Sequence, residues 1–267
     1  MLTGEQRKEF DERGIARLAG AVDPRIAAKL REEVRALIAA RRLVPKSPEA
    51  GFAITPSRFG PVTYAHGFEE IWGAGVIAAV DDLVGKGAWH VPTHAGQLLA
   101  MTWPQRGVTW ELPHKSWHLD YRAPTALRGL PGVQLFLCVD RVESHAGGTL
   151  VAAGTPRLVD AIRRREAPDW LGRSADVRQA LRREVPWFEE LCSLRPGEDR
   201  IARFMSHSVE FAGGSLQVVE LTGEPGDVWA MHPWMAHDAS PNCGDRPRMV
   251  LTERIRATRS LDLELPQ

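Results

Sequence analysis

Cysteine is scarce in this chain: Cys138, Cys192 and Cys243 are three in 267 residues, far apart and odd in number. With no Cys-x-x-Cys pair, neither a zinc knuckle nor a disulfide framework is indicated. An excess of one charge is missing too. Lys+Arg and Asp+Glu stand at 34 each, so there is no basic excess to suggest nucleic acid and no acidic tail. No apolar run approaches the length of a membrane span, and the first residues, charged from Glu5 onward, lack the apolar stretch of a signal peptide. These absences lead us to expect a cytoplasmic protein that recognises a small molecule, with no nucleic acid or membrane partner. They leave the oligomeric state open.

What is present suits a soluble globular chain: 43% hydrophobic and 25% charged residues. No internal repeat or low-complexity linker divides it, so one domain over 1–267 is expected. Thr3 with Gln6 forms a capping box for a first helix, and Gly14–Gly20 reads as a short strand. Asp23-Pro24 starts a second helix with Ile26, Leu30, Val34, Leu37 and Ile38 on one face. Another helix is expected over Ile71–Val84. Residues 1–95 thus read as a helical and strand scaffold outside a β core.

From Gly96 the pattern changes to short apolar runs punctuated by Gly, Pro and Asp: Gln97–Trp103, Val133–Val139, Thr149–Ala152, Leu216–Leu221 and Val228–Met231. Two helical patterns, starting at Thr155-Pro156 and at Ser174, interrupt them between 156 and 194. The expectation is an α+β fold with a mostly β core. It is a double-stranded β-helix of the jelly-roll or cupin-like kind over 96–155 and 200–256, flanked by N-terminal helices. The helical insertion at 156–194 is a candidate lid.

The chemistry concentrates in Trp117-His-Leu-Asp-Tyr121. On an extended strand, residues two apart share a face, so His118 and Asp120 can grip one metal ion. A distant histidine, His237, would complete a 2-His-1-carboxylate facial triad, a set suited to Fe(II) that leaves coordination positions open for oxygen chemistry. Alone, His-x-Asp is a weak motif. Its weight comes from His237 and from Arg248, eleven residues beyond. The remaining histidines fit a ligand role less well. Pro92 stands between His90 and His94, Pro113 adjoins His114, and His232 lies an odd five residues before His237.

Four stretches occur in order: His118-Leu-Asp120; Gly147-Gly-Thr-Leu150 running to Gly154-Thr155; Gly226-Asp227 leading to His237; and Asn242 followed by Pro247-Arg248. This order resembles the phytanoyl-CoA dioxygenase family of Fe(II)/2-oxoglutarate-dependent oxygenases, over roughly Leu2 to Glu253. The resemblance implies His118, Asp120 and His237 as iron ligands and catalytic centre, with 2-oxoglutarate chelating the iron and O2 taking a further position. It implies Arg248 as the planar cation for the distal carboxylate, and Phe136, at a strand position where the family often carries Trp, as a further cosubstrate-binding residue. Gln97 is a further candidate contact to 2-oxoglutarate. Trp117, Tyr121, Arg122 and Trp234 are candidates to line the substrate pocket.

An intact Asp120, where related halogenases carry a small residue, favours hydroxylation of an unactivated C–H bond, with succinate and CO2 released. Desaturation, cyclisation or epimerisation by the same cofactors is the alternative. A cupin-like metal-binding protein without turnover is the reading from another class.

Overall fold

The structure is a computed structural model that describes residues 1–42, 68–96 and 98–258. Helix α1 (Gly4–Arg13) begins at the expected capping box, Gln6 N–H donating to Thr3 Oγ1 and Thr3 N–H to Gln6 Oε1. It ends at Gly14, whose φ of 80° lets the chain turn directly into strand β1 (Ile15–Leu18). That turn corrects an expectation. β1 does not stand outside the β core: it pairs antiparallel with β7 (Val228–Met231), Ile15 opposite Met231 and Leu18 opposite Val228. A sheet edge distant in sequence recruits this strand, and local patterning carries no trace of the pairing.

Helix α2 (Pro24–Arg41) starts at Asp23, whose carboxylate accepts the Arg25 N–H, and buries Ala27, Leu30, Val34 and Ile38. The helix expected from Ile71 begins later. Glu69–Trp72 forms a 3-10 turn, and α3 runs Ala74–Val84 after Gly73.

Two antiparallel sheets lie face to face without closing into a barrel. The larger has the order β1-β7-β3-β9-β2, with β2 Leu98–Thr102, β3 Gly132–Cys138 and β9 Arg248–Arg256. The smaller has the order β5-β6-β4-β8, with β4 Thr149–Ala153, β5 Val209–Phe211, β6 Gly214–Leu221 and β8 His237–Ala239. This is the expected jelly-roll architecture.

Three apolar layers hold it together. Leu135, Leu137, Met249 and Leu251 face outward from the large sheet onto α2 and α3. Phe136, Val151, Trp229 and Val250 fill the space between the sheets. Leu150, Ala152, Leu216 and Val218 face outward from the small sheet. β3 is buried on both faces, which is why it reads as a near-continuous apolar run.

The insertion supplies the cover of that third layer. Its helices are α4 (Thr155–Arg163), α5 (Ser174–Glu184) and α6 (Pro186–Leu191), and α7 (Arg200–Phe204), just beyond it, packs with them. They bury Val159, Leu181, Phe188, Leu191 and Phe204 against the outer face of the small sheet. The sequence pattern reveals the first two; α6 and α7 are too short to show a period. Among the described residues no helix is long and apolar enough to cross a membrane.

Asp227 ties the N-terminal strand to the sheet. Its carboxylate accepts from Arg17 at 2.5 Å, from Gly20 N–H at 2.7 Å and from Glu224 N–H at 2.9 Å. Burial raises its pKa, but these donors outweigh burial and hold it below the usual carboxylate range. Since the folded pKa is the lower one, the stabilisation is complete above the unfolded value of about 4 and fades as pH falls through the folded value. Asp227→Ala is expected to cost about 2 kcal/mol at neutral pH and to flatten the acid limb of the stability curve. Denaturant unfolding of both proteins across that pH range checks this.

Candidate metal centre and cosubstrate anchor

His237 sits on β8 opposite Val151 of β4, on the face turned toward the other sheet. His118 reaches it through one isolated antiparallel bridge: each backbone N–H donates to the other's carbonyl, at 3.0 and 2.9 Å. The expectation of a regular strand under His118-Leu-Asp120 therefore needs correction, because the segment makes β pairing at His118 alone. Local extension still suffices to put residues 118 and 120 on one side. The two imidazoles stand with ring centroids 4.3 Å apart.

Each ring has its tautomer set by the chain two residues upstream. His118 Nδ1–H donates to the Ser116 carbonyl at 2.9 Å, and His237 Nδ1–H to the Met235 carbonyl at 3.0 Å. A carbonyl only accepts, so Nδ1 carries the proton and Nε2 presents its lone pair. Both Nε2 atoms turn to the Asp120 carboxylate, His237 at 3.3 Å from Oδ2 and His118 at 3.9 Å from Oδ1. One donor atom from each of the three residues lies within 4.8 Å of the others. Two neutral nitrogens and one carboxylate, with no fourth protein donor among the described residues, fit Fe(II) with open positions. Burial, with His237 beside it, pushes the His118 pKa down and keeps that ring in its ligating form. The side chain of His237 is 7% exposed and that of His118 is 47% exposed, so the centre opens to solvent on the His118 side.

Asp120 is held at both oxygens. Gln134 Nε2 donates to Oδ2 at 2.7 Å, and Arg254 Nη2 contacts Oδ1 at 2.8 Å. Burial raises the carboxyl pKa, but Arg254 and Gln134, joined by His237 whenever its ring is protonated in the absence of metal, hold it well below the usual range. Gln134 and Arg254 are register partners across β3 and β9. This pair escapes a reading of the sequence, where Arg254 is one arginine among several. Its one signal is an even offset of six from Arg248, which places both on the same strand face. The Gln134 Oε1 is buried and has no hydrogen-bond partner among the described residues. A buried acceptor beside three ligands fits a centre where a water or ligand donor belongs.

Arg248 opens β9 on the same face, 4% exposed. Its Nε donates to the Gly147 carbonyl at 2.6 Å, and its Nη2 lies 3.4 Å from Thr149 Oγ1. The Gly-Gly motif now has a physical role. Gly147, at φ 83°, turns its carbonyl to Arg248, and a Cβ on Gly148 would stand 2.6 Å from Glu220 Cγ. Asn242, fully buried, donates to the carbonyls of Thr102 and Arg246 and so pins the turn that delivers Arg248. Burial pushes the Arg248 pKa down to about 10, with Cys138 and Glu220 acting in the opposite direction. The guanidinium stays charged at neutral pH, desolvated, and receptive to a carboxylate. Thr149 is one same-face step along β4 from Val151, the partner of His237, so about 7 Å of strand separates Thr149, which Arg248 contacts, from the position opposite His237. Phe136 lies between the sheets with Val151 and Val250. Gln97 lies outside the described residues.

The expected substrate-lining aromatics are corrected. Trp117 is 0% exposed, and its Nε1–H donates to Pro113 O. Tyr121 is buried with its hydroxyl 3.3 Å from Ile255 O, and the Trp234 Nε1–H donates to Arg122 O. All three side chains pack in the layer outside the small sheet. The alternation that brings His118 and Asp120 together sends residues 117, 119 and 121 to the opposite side. Arg122 remains partly exposed. Two other histidines make their contacts elsewhere: His94 contacts Glu253 at 2.9 Å, and His232 packs between Phe10 and Trp234.

An enzyme that keeps these three ligands between the sheets of a jelly roll, one strand step from a buried arginine, falls among the non-haem iron, 2-oxoglutarate-dependent oxygenases. The chain belongs to the phytanoyl-CoA dioxygenase (PhyH) family, whose model matches residues 10–250. Among solved structures, it is similar to the non-haem α-ketoglutarate-dependent epimerase SnoN from nogalamycin biosynthesis. The TM-score is 0.54 at 13% identity, covering 95% of this chain and 85% of that one. SnoN in complex with Fe3+, α-ketoglutarate and nogalamycin RO gives 0.52 at 14%, covering 95% and 82%. EvdMO1 gives 0.51 at 15%, covering 95% of this chain and 49% of that one. These likenesses establish the shared fold. No curated protein sequence matches the chain.

Proposed function

We propose that this protein hydroxylates an unactivated C–H bond of a small molecule, using Fe(II), 2-oxoglutarate and O2. The observation that carries this reading is the convergence of His118, Asp120 and His237 with both Nδ1 protons already directed at backbone carbonyls. Bound there, iron with 2-oxoglutarate and O2 supplies the oxidative decarboxylation that yields succinate and CO2 and the oxidising power to attack an inert C–H bond.

The chain's own residues do the rest. His118, Asp120 and His237 hold the metal, and Gln134 and Arg254 keep the carboxylate turned toward it. Arg248, with Thr149 beside it, takes the distal carboxylate of 2-oxoglutarate. Phe136, Val151 and Val250 give the connecting carbons a dry wall. The half-exposed edge of His118 marks the side from which substrate enters.

A second outcome uses the same residues, and the likeness to an epimerase from nogalamycin biosynthesis favours weighing it. Hydroxylation puts an atom from O2 into the product, whereas epimerisation and cyclisation do not. Labelled O2 therefore separates them once a substrate is in hand.

Anaerobic addition of Fe(II) and 2-oxoglutarate to the metal-free protein is expected to give a visible metal-to-ligand charge-transfer band. Oxygen should then bleach it with formation of succinate. Measured iron binding without the band would overturn the cosubstrate assignment and move the reading to a metal-binding protein without turnover.

A further inference from the structure

Residues 112–127, which carry two of the three ligands, make β pairing at His118 alone. An unpaired backbone in a partly buried position must find other partners, and here the helical insertion supplies them. Leu119 N–H donates to Ser174 Oγ at 3.0 Å, Ala123 N–H to Gly172 O at 2.9 Å and Thr125 N–H to Trp170 O at 3.2 Å. From the other direction, Arg178 donates to Lys115 O at 3.2 Å, and Arg163 to Leu127 O at 2.7 Å. The approach is close enough to demand glycine at 172. Its φ is 56°, and a Cβ there would lie 2.3 Å from the Ala123 carbonyl oxygen.

We propose that the helical insertion, instead of closing over the pocket as a lid, braces the ligand segment, and that Ser174 is a positioning residue for metal binding. The inference rests on the reading of His118 and Asp120 as metal ligands. Ser174 occupies the decisive point because Leu119 lies between them. A hydroxyl accepting the Leu119 N–H fixes the one peptide plane that this N–H belongs to, between His118 and Leu119, and so constrains the short backbone from which both ligating side chains depart. The ring contact from His118 Nδ1 to Ser116 O lies within the same segment, so it cannot align that segment with His237. The bridge at 118 and the Ser174 bond can. Pre-set donors bind metal more tightly because less ordering remains to be done on binding.

The test is Mn(II) titration of the metal-free protein, followed by calorimetry or by electron paramagnetic resonance of the free ion, with thermal unfolding alongside. Ser174→Ala is expected to weaken Mn(II) binding about tenfold, the low end of what outer partners of metal ligands contribute, with its unfolding midpoint little changed. Ser174→Thr, which keeps the hydroxyl, should restore most of the affinity. Leu181→Val, in the buried face of the same helix, loosens α5 without touching that hydroxyl and should leave Mn(II) binding unchanged. The brace is overturned if Ser174→Ala binds Mn(II) as tightly as the unmodified protein. The role of Ser174 is also overturned if Leu181→Val weakens binding as much, since loosening of the whole insertion then accounts for the effect. If the unmodified protein binds no Mn(II), the metal reading itself is gone and the brace with it.

Discussion

Asp120→Ala is expected to abolish succinate formation and to weaken iron binding by well over the roughly 10- to 100-fold that loss of an outer partner costs. The substitution does more than delete one of three ligands. It removes the single anion from the donor set and leaves the Arg254 guanidinium, now without the carboxylate it contacts at 2.8 Å, facing the metal position. A cation beside an uncompensated cation is disfavoured most where water is partly excluded. Gln134 Nε2 loses its 2.7 Å acceptor in the same step. Anaerobic Fe(II) binding and succinate release, measured together, decide the matter. A variant that binds iron and turns over normally would end the triad assignment. Circular dichroism of the variant separates loss of the site from loss of the fold.

The second large effect is expected at Arg248, and it should separate cleanly from the first. Truncating one partner of a buried, hydrogen-bonded charge pair costs about 2–5 kcal/mol, equivalent to roughly 30-fold to a few thousand-fold in affinity. Arg248→Ala should raise the 2-oxoglutarate requirement by that factor while Mn(II) affinity stays near that of the unmodified protein, since Arg248 touches none of the three ligands. Arg248→Lys keeps the charge but not the planar fork that spans Gly147 O and Thr149 Oγ1. It should recover only part of the loss. The Lys variant also guards the result if Arg248→Ala leaves the Gly147 carbonyl so poorly satisfied that the fold loosens. An unchanged 2-oxoglutarate requirement in both variants would remove Arg248 from the anchor role.

These two sites were legible in the sequence for different reasons. His118 and Asp120 sit two apart, an offset that any extended backbone converts into proximity. Arg248 stands at a fixed distance after His237, because Asn242 holds the turn between them. Gln134 and Arg254 were not legible, since their meeting depends on the register of β3 against β9 and on a loop arriving from elsewhere. β9 itself is hard to read as a strand. Its inward positions carry Arg248 and Arg254, so polar residues occupy the face that alternation would mark as core. Trp117 and Tyr121 show the converse error: nearness in sequence to a ligand suggested the pocket, while alternation places them behind it.

By itself, then, the sequence supplied the proposed donor set and the proposed anchor as well as the mixed α+β class and the first helices with their caps. Each of these rests on contacts spanning a few residues, or on a family order of motifs that survives without coordinates. Only the tertiary structure decided that β1 joins the large sheet, that Gln134 and Arg254 hold Asp120, and that the helical insertion lies against the ligand segment. Those are pairings between distant stretches. Backbone hydrogen bonds and buried apolar faces accept many partners by type, and only the three-dimensional packing selects which partner each one meets.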